Sequence, residues 1–346
     1  MTAAANEPVR VLHVGLGPLG RLIASDVHAR GAGVVVAAVD PDPALAGRPL
    51  GDFAPGTTPG VTIDADLARA ADSAAFDAAI VTTVSSLASC APTFRTLLDR
   101  GATVVSTCEE LVYPHLRHAL LADELHALAL RRGGRLLGTG VNPGFLMDLL
   151  PVVASGVCRV VRAVRVRRVQ DASTRRVPFQ RKIGAGLDRD AFERGVRKGW
   201  LRHVGLGESL HFIADRLRLE IEDWSESVEP VLAERELRCA LGVIEPGQAA
   251  GVRQVAVGVG RGRDTVRLEF VAAIGQPDPH DSVRIDGEPP IDLTIRGGVH
   301  GDTATVAITV NAIRPLLASP PGLHTMSTIA PPACDRHATA PLQHGR

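Results

Sequence analysis

Aromatic residues make up only 3% of this 346-residue chain. That scarcity argues against a surface that stacks nucleic-acid bases. Net charge is missing as well. Lys plus Arg and Asp plus Glu both number 38, so no field draws the chain to nucleic acid or to an anionic membrane. The five cysteines, Cys90, Cys108, Cys158, Cys239 and Cys334, contain no CxxC pair and no metal-finger spacing. An odd, scattered set points to a reducing, cytoplasmic setting rather than a disulfide framework. No run reaches the roughly 18 apolar residues of a membrane helix. Met1 to Arg10 lacks the basic and apolar regions of a secretory signal. What is present is 45% hydrophobic residues and length for about two domains with real cores.

The first half has the pattern of an α/β dinucleotide-binding domain. Val9 to Val14 reads as a strand and runs into Gly15-Leu16-Gly17-Pro18-Leu19-Gly20, a GxGxxG motif. The first glycine allows the tight turn, the second lets backbone approach a pyrophosphate, and the third lets helix and strand pack closely. A helix follows, with Leu22, Ile23 and Val27 expected inward, and its N-terminus offers N–H groups to phosphate. A second strand, Gly33 to Val39, ends at Asp40. That residue has the spacing of the carboxylate that binds a ribose 2′-OH, which favours NAD over NADP. Asp40 also fits the start of the turn Asp40-Pro41-Asp42-Pro43. Arg48 in the next loop keeps NADP open. Ile63 to Ala71 reads as a short helix, Asp77 to Thr83 as a strand and Pro92 to Arg100 as a helix. Thr82 and Thr83, at the end of that strand, are candidate cofactor contacts; threonine is also simply a good strand residue.

The next strand, Ala102 to Val105, delivers Ser106-Thr107-Cys108-Glu109-Glu110-Leu111-Val112-Tyr113-Pro114. Ligands of open α/β sheets bind outside the carboxyl ends of the strands, so Ser106 is a candidate cofactor contact. Thr107 and Glu110 have the spacing of a capping box. That gives Glu110 a structural task and leaves Glu109 as the candidate proton acceptor, with Glu110 the other choice. Leu136 to Val141 precedes Asn142-Pro143-Gly144-Phe145-Leu146-Met147-Asp148. Asn142 has the donors and acceptor to orient a carboxamide or a substrate, and Asn-Pro-Gly is equally an ordinary turn. His115, His118 and His126 form the sole metal-like cluster. They lack an acidic or Cys partner at ligand spacing, and no metal is expected.

In the second half, Arg159 to Gln170 partly alternates valine with arginine, the pattern of a strand with one charged face. Asp171–Gly186 reads as a polar, mobile loop. Asp190 to Lys198 and Glu208 to Leu217 read as helices. Val252–Val259, Thr265–Ala273 and Asp292–Ile295 read as strands of one sheet. Thr303 to Leu317 reads as an apolar helix.

STCEELVYP, GTGVNPGFLMD, Gly199 to Ser209 and Gly322 to Met326 together resemble the 2,4-diaminopentanoate dehydrogenases and native amine dehydrogenases. These sit within the dihydrodipicolinate-reductase-like superfamily. The resemblance spans about residues 8–327. The His-His-x-x-Lys and Lys-x-x-x-Ser-Gly-Thr signatures of dihydrodipicolinate reductase itself are absent, as is the Asn-Lys pair of homoserine dehydrogenases. The resemblance implies NAD(P)-dependent oxidative deamination of an amine, reversible as reductive amination of a ketone or aldehyde with ammonia. It assigns the amine chemistry to Glu109 and places Asn142 by the nicotinamide and substrate. It brings Arg168 and Gln170 near the substrate, with Arg168 able to pair with a carboxylate, whereas the charge run by itself reads as a solvated face. It raises a substrate-pocket role for His203.

The expected architecture is α/β: a Rossmann domain over 1–150, an α+β substrate domain over 151–300, a C-terminal helix returning to the first domain over 301–330, and a disordered tail from Pro331 to Arg346. The expected protein is a homodimeric, cytoplasmic amine dehydrogenase using NAD or NADP, with an amine or ketone and ammonia as partners. An imine or ketone reductase on the same scaffold is one rival, and a non-catalytic dinucleotide sensor is the other.

Overall fold

The structure is a computed structural model and describes residues 7–334. The chain divides into two compact units, Met1–Phe145 with Gly301–Arg346, and Leu146–His300.

The first unit is built on β1 (Val9–Val14), α1 (Pro18–Ala29), β2 (Gly33–Val39), β3 (Ile63–Asp64), α2 (Leu67–Ser73), β4 (Ala78–Val81), α3 (Leu87–Leu98), β5 (Thr103–Ser106), α4 (His115–Arg132) and β6 (Arg135–Gly138). Short apolar runs buried on both faces make these parallel strands. Their sheet order is β3-β2-β1-β4-β5-β6, continued beyond β6 by the strand Gly322–His324. That is the dinucleotide-binding order, with its switch point between β1 and β4. One face packs Leu12, Val14, Val81 and Val104 against Phe94 and Leu97 of α3 and Leu125 of α4. Each such fully buried side chain contributes roughly 1.5–3 kcal/mol.

Three local expectations change here. Leu22 is 47% exposed, and the buried stripe of α1 is Gly20, Ile23, Ala24 and Val27. Ile63 and Asp64 extend the sheet as β3 instead of opening a helix; α2 starts only after Asp66, whose side chain accepts from Arg69 N–H. α3 begins at Leu87, capped by Ser86, so Pro92 lies inside the helix rather than at its start.

The second unit contains α5 (Leu149–Ala154), β7 (Val160–Asp171), α6 (Val177–Lys182), α7 (Arg189–Arg197), α8 (Leu206–Leu217), β8 (Asp223–Leu232), β9 (Leu237–Cys239), β10 (Gly242–Ile244), β11 (Ala249–Gly260), β12 (Arg263–Ala273), β13 (His280–Glu288) and β14 (Ile291–Arg296). The main sheet runs β14-β13-β7-β12-β11-β8. All its pairings are antiparallel except β7 with β12. α8 packs on β11 and β12. The loop expected over 171–186 contains α6.

The chain returns to the first unit as α9 (Gly301–Asn311), α10 (Ile313–Leu317) and β15 (Gly322–His324). One helix was expected and two are found. Pro315 has no N–H for the Asn311 carbonyl, so the ladder breaks between them. β15 pairs in parallel with β6. The tail expected to be disordered lies, from residue 335 onward, outside the described residues.

Candidate active site

The glycine turn closes the gap between β1 and α1 at the switch point. Gly15 has φ +92, and an added Cβ would meet the Thr82 carbonyl at 2.8 Å. Gly20 would bring a Cβ to 2.0 Å from the Gly15 carbonyl and 2.6 Å from Thr82 Oγ1. Gly17 differs: no atom lies within 4 Å of its would-be Cβ. It is the N-cap of α1, with no side chain capping the helix and Pro18 in the first turn. An open, uncapped helix N-terminus is what a dinucleotide pyrophosphate requires, so this turn fits the expected cofactor. Leu16 is buried, and its backbone holds the turn. Its N–H donates to Asp40 Oδ2 at 2.6 Å and its carbonyl accepts from Arg21 Nε at 2.6 Å. Leu19 is partly buried in the first turn of α1.

Asp40 starts the turn that its Asp-Pro-Asp-Pro sequence suggested, and it also holds the glycine loop. Oδ1 accepts from Asp42 N–H at 2.9 Å and so starts the turn, while Oδ2 lies on the glycine loop. A carboxylate has about four acceptor sites, which leaves capacity for a ribose diol. Arg48 pairs with Asp52 at 3.1 Å and lies over the Phe53 ring.

Thr82 and Ser106 turn inward. Thr82 Oγ1 donates to the Gly15 carbonyl at 2.7 Å. Ser106 Oγ donates to the Val81 carbonyl at 3.0 Å and accepts from Cys108 N–H at 3.1 Å. These hydroxyls pin the loops around the switch point. Thr83 is exposed, and its Oγ1 lies 3.4 Å from Cys90 Sγ.

The capping box does not form. Glu109–Leu111 is a single 3-10 turn whose N-cap is Cys108, with no side-chain cap. Glu110 is nevertheless structural by another route. Its Oε2 accepts from Leu87 N–H at 2.8 Å, at the start of α3, and lies 2.9 Å from His118 Nε2. Glu109 is partly buried on the same turn, directly beyond β5. Asn142 is partly buried in the loop after β6. That loop is tight: a Cβ on Gly144 would meet Gly140 N at 2.4 Å.

In the second unit, Arg168 and Gln170 share one inward cluster. Arg168 is 1% exposed, donates to the Val299 carbonyl at 2.9 Å and lies 3.6 Å from Asp281. Burial lowers its pKa to about 10, against the opposing pull of Asp281. Gln170 Nε2 donates to the same carbonyl at 3.2 Å, and its Oε1 accepts from Arg175 at 3.1 Å. Asp281 accepts from Val299 N–H at 2.7 Å. The solvated-face reading of Arg168 does not hold, because the side chain is buried and its charge is met inside the fold by Asp281. His203 stacks on Phe270 with centroids 4.6 Å apart. Both border a cavity of about 10 Å³ shared with Phe179, Lys182, Ile183, Arg202 and Val252, space for about one water.

The model of the 2,4-diaminopentanoate dehydrogenase C-terminal domain matches residues 145–342. A 2,4-diaminopentanoate dehydrogenase of Acetoanaerobium sticklandii is 31% identical over 243 residues, 68% of this chain and 69% of that protein. The chain belongs to the 2,4-diaminopentanoate dehydrogenase family. An amine dehydrogenase of Streptomyces virginiae is 26% identical over 340 residues, 90% of this chain and 93% of its own length. An amine dehydrogenase structure from Mycobacterium smegmatis superposes with TM-score 0.82 at 23% identity, covering 95% of this chain and 97% of that one. This last likeness is one of fold.

Within this family member, three buried polar residues not assigned a role from the sequence fasten candidate residues or loops, each inside its own unit. His13 is fully buried in β1, with Nε2 3.2 Å from the Gly15 carbonyl, and burial lowers its pKa to about 4. Gln254, fully buried on β11, accepts from His203 N–H at 2.7 Å and donates to the His203 carbonyl at 2.8 Å. Asp148, fully buried, caps Leu149 N–H at 2.7 Å and accepts from Ser209 Oγ at 2.9 Å. The available signal for His13 and Gln254 was a polar residue at an apolar position of its strand pattern, and for Asp148 an aspartate directly before an apolar helical run. Among the described residues, no group of three or more His, Cys, Asp or Glu is placed to hold a metal ion. Also among them, no helix is long and apolar enough to cross a membrane.

Proposed function

We propose that this chain is an NAD(P)-dependent amine dehydrogenase whose proton acceptor is Glu109. The observation that supports the assignment is the place of Glu109, on the turn directly beyond the carboxyl end of β5, where open α/β sheets bind their ligands. Glu110 on the same turn has a structural task through Leu87 and His118. The bound nicotinamide would supply hydride acceptance from the carbon that bears nitrogen. The open turn at Gly17 would receive the pyrophosphate, and Asp40 would hold the ribose. Glu109 takes a proton from the substrate ammonium, releases it to solvent, and as a carboxylate again activates water for attack on the iminium carbon. In the reverse direction it orients ammonia. Asn142 orients the carboxamide or the substrate, and His203 borders the substrate.

NAD is the preferred cofactor in this reading. A carboxylate on the glycine loop repels a 2′-phosphate, and Arg48 is already paired with Asp52. Asp40→Ala should narrow or reverse the preference; a wild type favouring NADP by about tenfold, 1.4 kcal/mol, would remove Asp40 from the ribose. A homodimer belongs to the same reading. The ten-residue edge strand β8 supports it, since such an edge is a template for pairing. Sedimentation velocity decides that point. The cytoplasmic setting rests on the free cysteines.

The test follows oxidation of reduced cofactor with a panel of ketones and aldehydes, with and without ammonium. Ammonia-dependent turnover supports the proposal. Turnover without ammonia makes the chain a ketone reductase, and cofactor binding without turnover makes it a sensor.

A further inference from the structure

Two of the five cysteines meet beneath the turn that carries Glu109. Cys108 is the residue before Glu109, and Cys90 lies in the first turn of α3. Both side chains are buried in the core of the first unit. Their thiols donate to neighbouring carbonyls of one loop: Cys90 Sγ to Val84 at 3.4 Å and Cys108 Sγ to Ser85 at 3.2 Å. The two thiols also influence each other's titration. The neighbouring Cys108, with the Thr83 hydroxyl, lowers the pKa of Cys90, and the neighbouring Cys90, with burial, pushes the Cys108 thiol up. An isolated cysteine in apolar surroundings is inert, whereas a thiolate stabilised by neighbours is nucleophilic. The covering layer is thin: Thr83 is exposed, and Val84 is 51% exposed.

We propose that Cys90 and Cys108 are an oxidation site that takes hydrogen peroxide and closes a reversible disulfide under Glu109. The Cys90 thiolate attacks one peroxide oxygen. The O–O bond breaks, the departing hydroxide takes a proton to become water, and Cys90 is left as a sulfenic acid. The Cys108 sulfur, losing its proton, attacks that sulfur and displaces hydroxide, which leaves as a second water. Two thiols are oxidised to one disulfide, and one peroxide is reduced to two waters. External dithiol reverses the step by exchange.

The link to activity is mechanical. A disulfide holds its sulfurs at about 2.05 Å with Cβ atoms roughly 3.5–4.5 Å apart, which ties the start of the 3-10 turn to α3. Cys108 anchors that turn, because its carbonyl accepts from Leu111 N–H and its N–H donates to Ser106. Glu109 is the next residue, and Thr83 rests on Cys90. Oxidation therefore constrains the turn that carries the carboxylate and the exposed loop after β4 together.

The loss of activity rests on the functional reading of Glu109; the cross-link does not. The experiment treats the full chain with hydrogen peroxide, digests it without reductant, and maps peptides by mass. The expected product is a Cys90–Cys108 peptide pair two hydrogens lighter than the thiol forms, with amine oxidation lost and then restored by dithiothreitol. Cys90→Ser and Cys108→Ser should each resist the inactivation relative to its own untreated activity. The absence of that cross-link, with oxidation instead at Cys158, Cys239 or Cys334, overturns the proposal. So does an equal peroxide loss in wild type and both serine variants. A cross-link in a protein with no dehydrogenase activity before treatment upholds the oxidation site and defeats the functional reading instead.

Discussion

On the turn after β5, the partners of Glu110 give it a structural task. Glu110 accepts from the first N–H of α3 and meets His118, so it fastens one helix start to another. Glu109→Gln keeps size and hydrogen bonding but removes the base, and should lower amine oxidation by about 10²–10⁴ with an unchanged melting temperature. Glu110→Gln keeps an acceptor for Leu87 and should retain activity within about tenfold, while Glu110→Ala should lose about 1 kcal/mol, the scale of a helix cap. Steady-state kinetics and melts on the three variants check this; an inactive, stable Glu110→Gln beside an active Glu109→Gln would reverse the roles. His13 gives a pH-dependent prediction. Its folded pKa is lowered from 6.5 to about 4 by burial, so the unfolded chain takes the proton first as pH falls. The stability conferred by neutral His13 is complete above about pH 6.5 and disappears toward pH 4, a change on the order of 3 kcal/mol. Denaturant unfolding at pH 7 and pH 4.5 should show a smaller acid loss in His13→Asn than in wild type. Equal losses would mean that His13 titrates normally.

At the scale of elements, the glycine turn separates folding from binding within six residues. Gly17 has φ −62, which any residue adopts, and nothing within 4 Å of its Cβ position. Gly17→Val should keep the melting temperature and abolish dinucleotide binding, because only the ligand occupies that space. Gly20→Ala should do the opposite first and lower the melting temperature, since its Cβ falls 2.0 Å from the Gly15 carbonyl. Titration calorimetry beside thermal melts reads both, and unchanged cofactor affinity in Gly17→Val removes the site from this turn. The turn was legible in the sequence because strand, glycines, helix and Asp40 are all local. The apolar strands β1, β2 and β5 were legible for the same reason. β8 and β13 were not: Asp223–Leu232 contains Pro230 and five polar residues, and His280–Glu288 alternates with charge. They are strands because long neighbours pair with them. Arg168 was half legible. Val164, Val166, Arg168 and Gln170 share one face at period two, so the strand pattern points Arg168 inward. Its partner Asp281 lies too far along the chain for any local pattern to supply it. Glu110 failed likewise, since Leu87 N–H is a partner set by the sheet and not by the capping-box spacing.

The whole molecule makes its first unit from two stretches of chain. Residues 301 onward supply α9 against α1, α10 against β5 and β6, and β15 as a further strand on β6. Arg30 Nη1 donates to Asn311 Oδ1 at 2.9 Å, and Gly322 N–H donates to the Gly134 carbonyl at 3.0 Å. Without this stretch, β6 becomes an open edge and the α1 face loses its cover, which exposes both unpaired backbone and apolar surface. The glycine turn, Asp40, Thr83, Glu109 and Asn142 all belong to this unit. Its chain ends also lie close, since Val141 N–H donates to Thr305 Oγ1 at 3.3 Å. A Gly/Ser linker of roughly 20 residues, reaching about 25 Å, is therefore ample to join residue 145 to residue 301. A chain of residues 7–145, that linker and residues 301–330 should fold, bind NAD with an affinity near that of the full protein, and show no turnover. Residues 7–145 alone should fail to give a cooperative melt. Calorimetric titration and thermal unfolding on the two chains decide it. If the shorter chain melts as sharply and at the same temperature, the returning segment is an accessory and not part of the unit. If the joined chain folds but does not bind NAD, the dinucleotide site needs residues from 146–300 that the glycine turn and Asp40 do not replace.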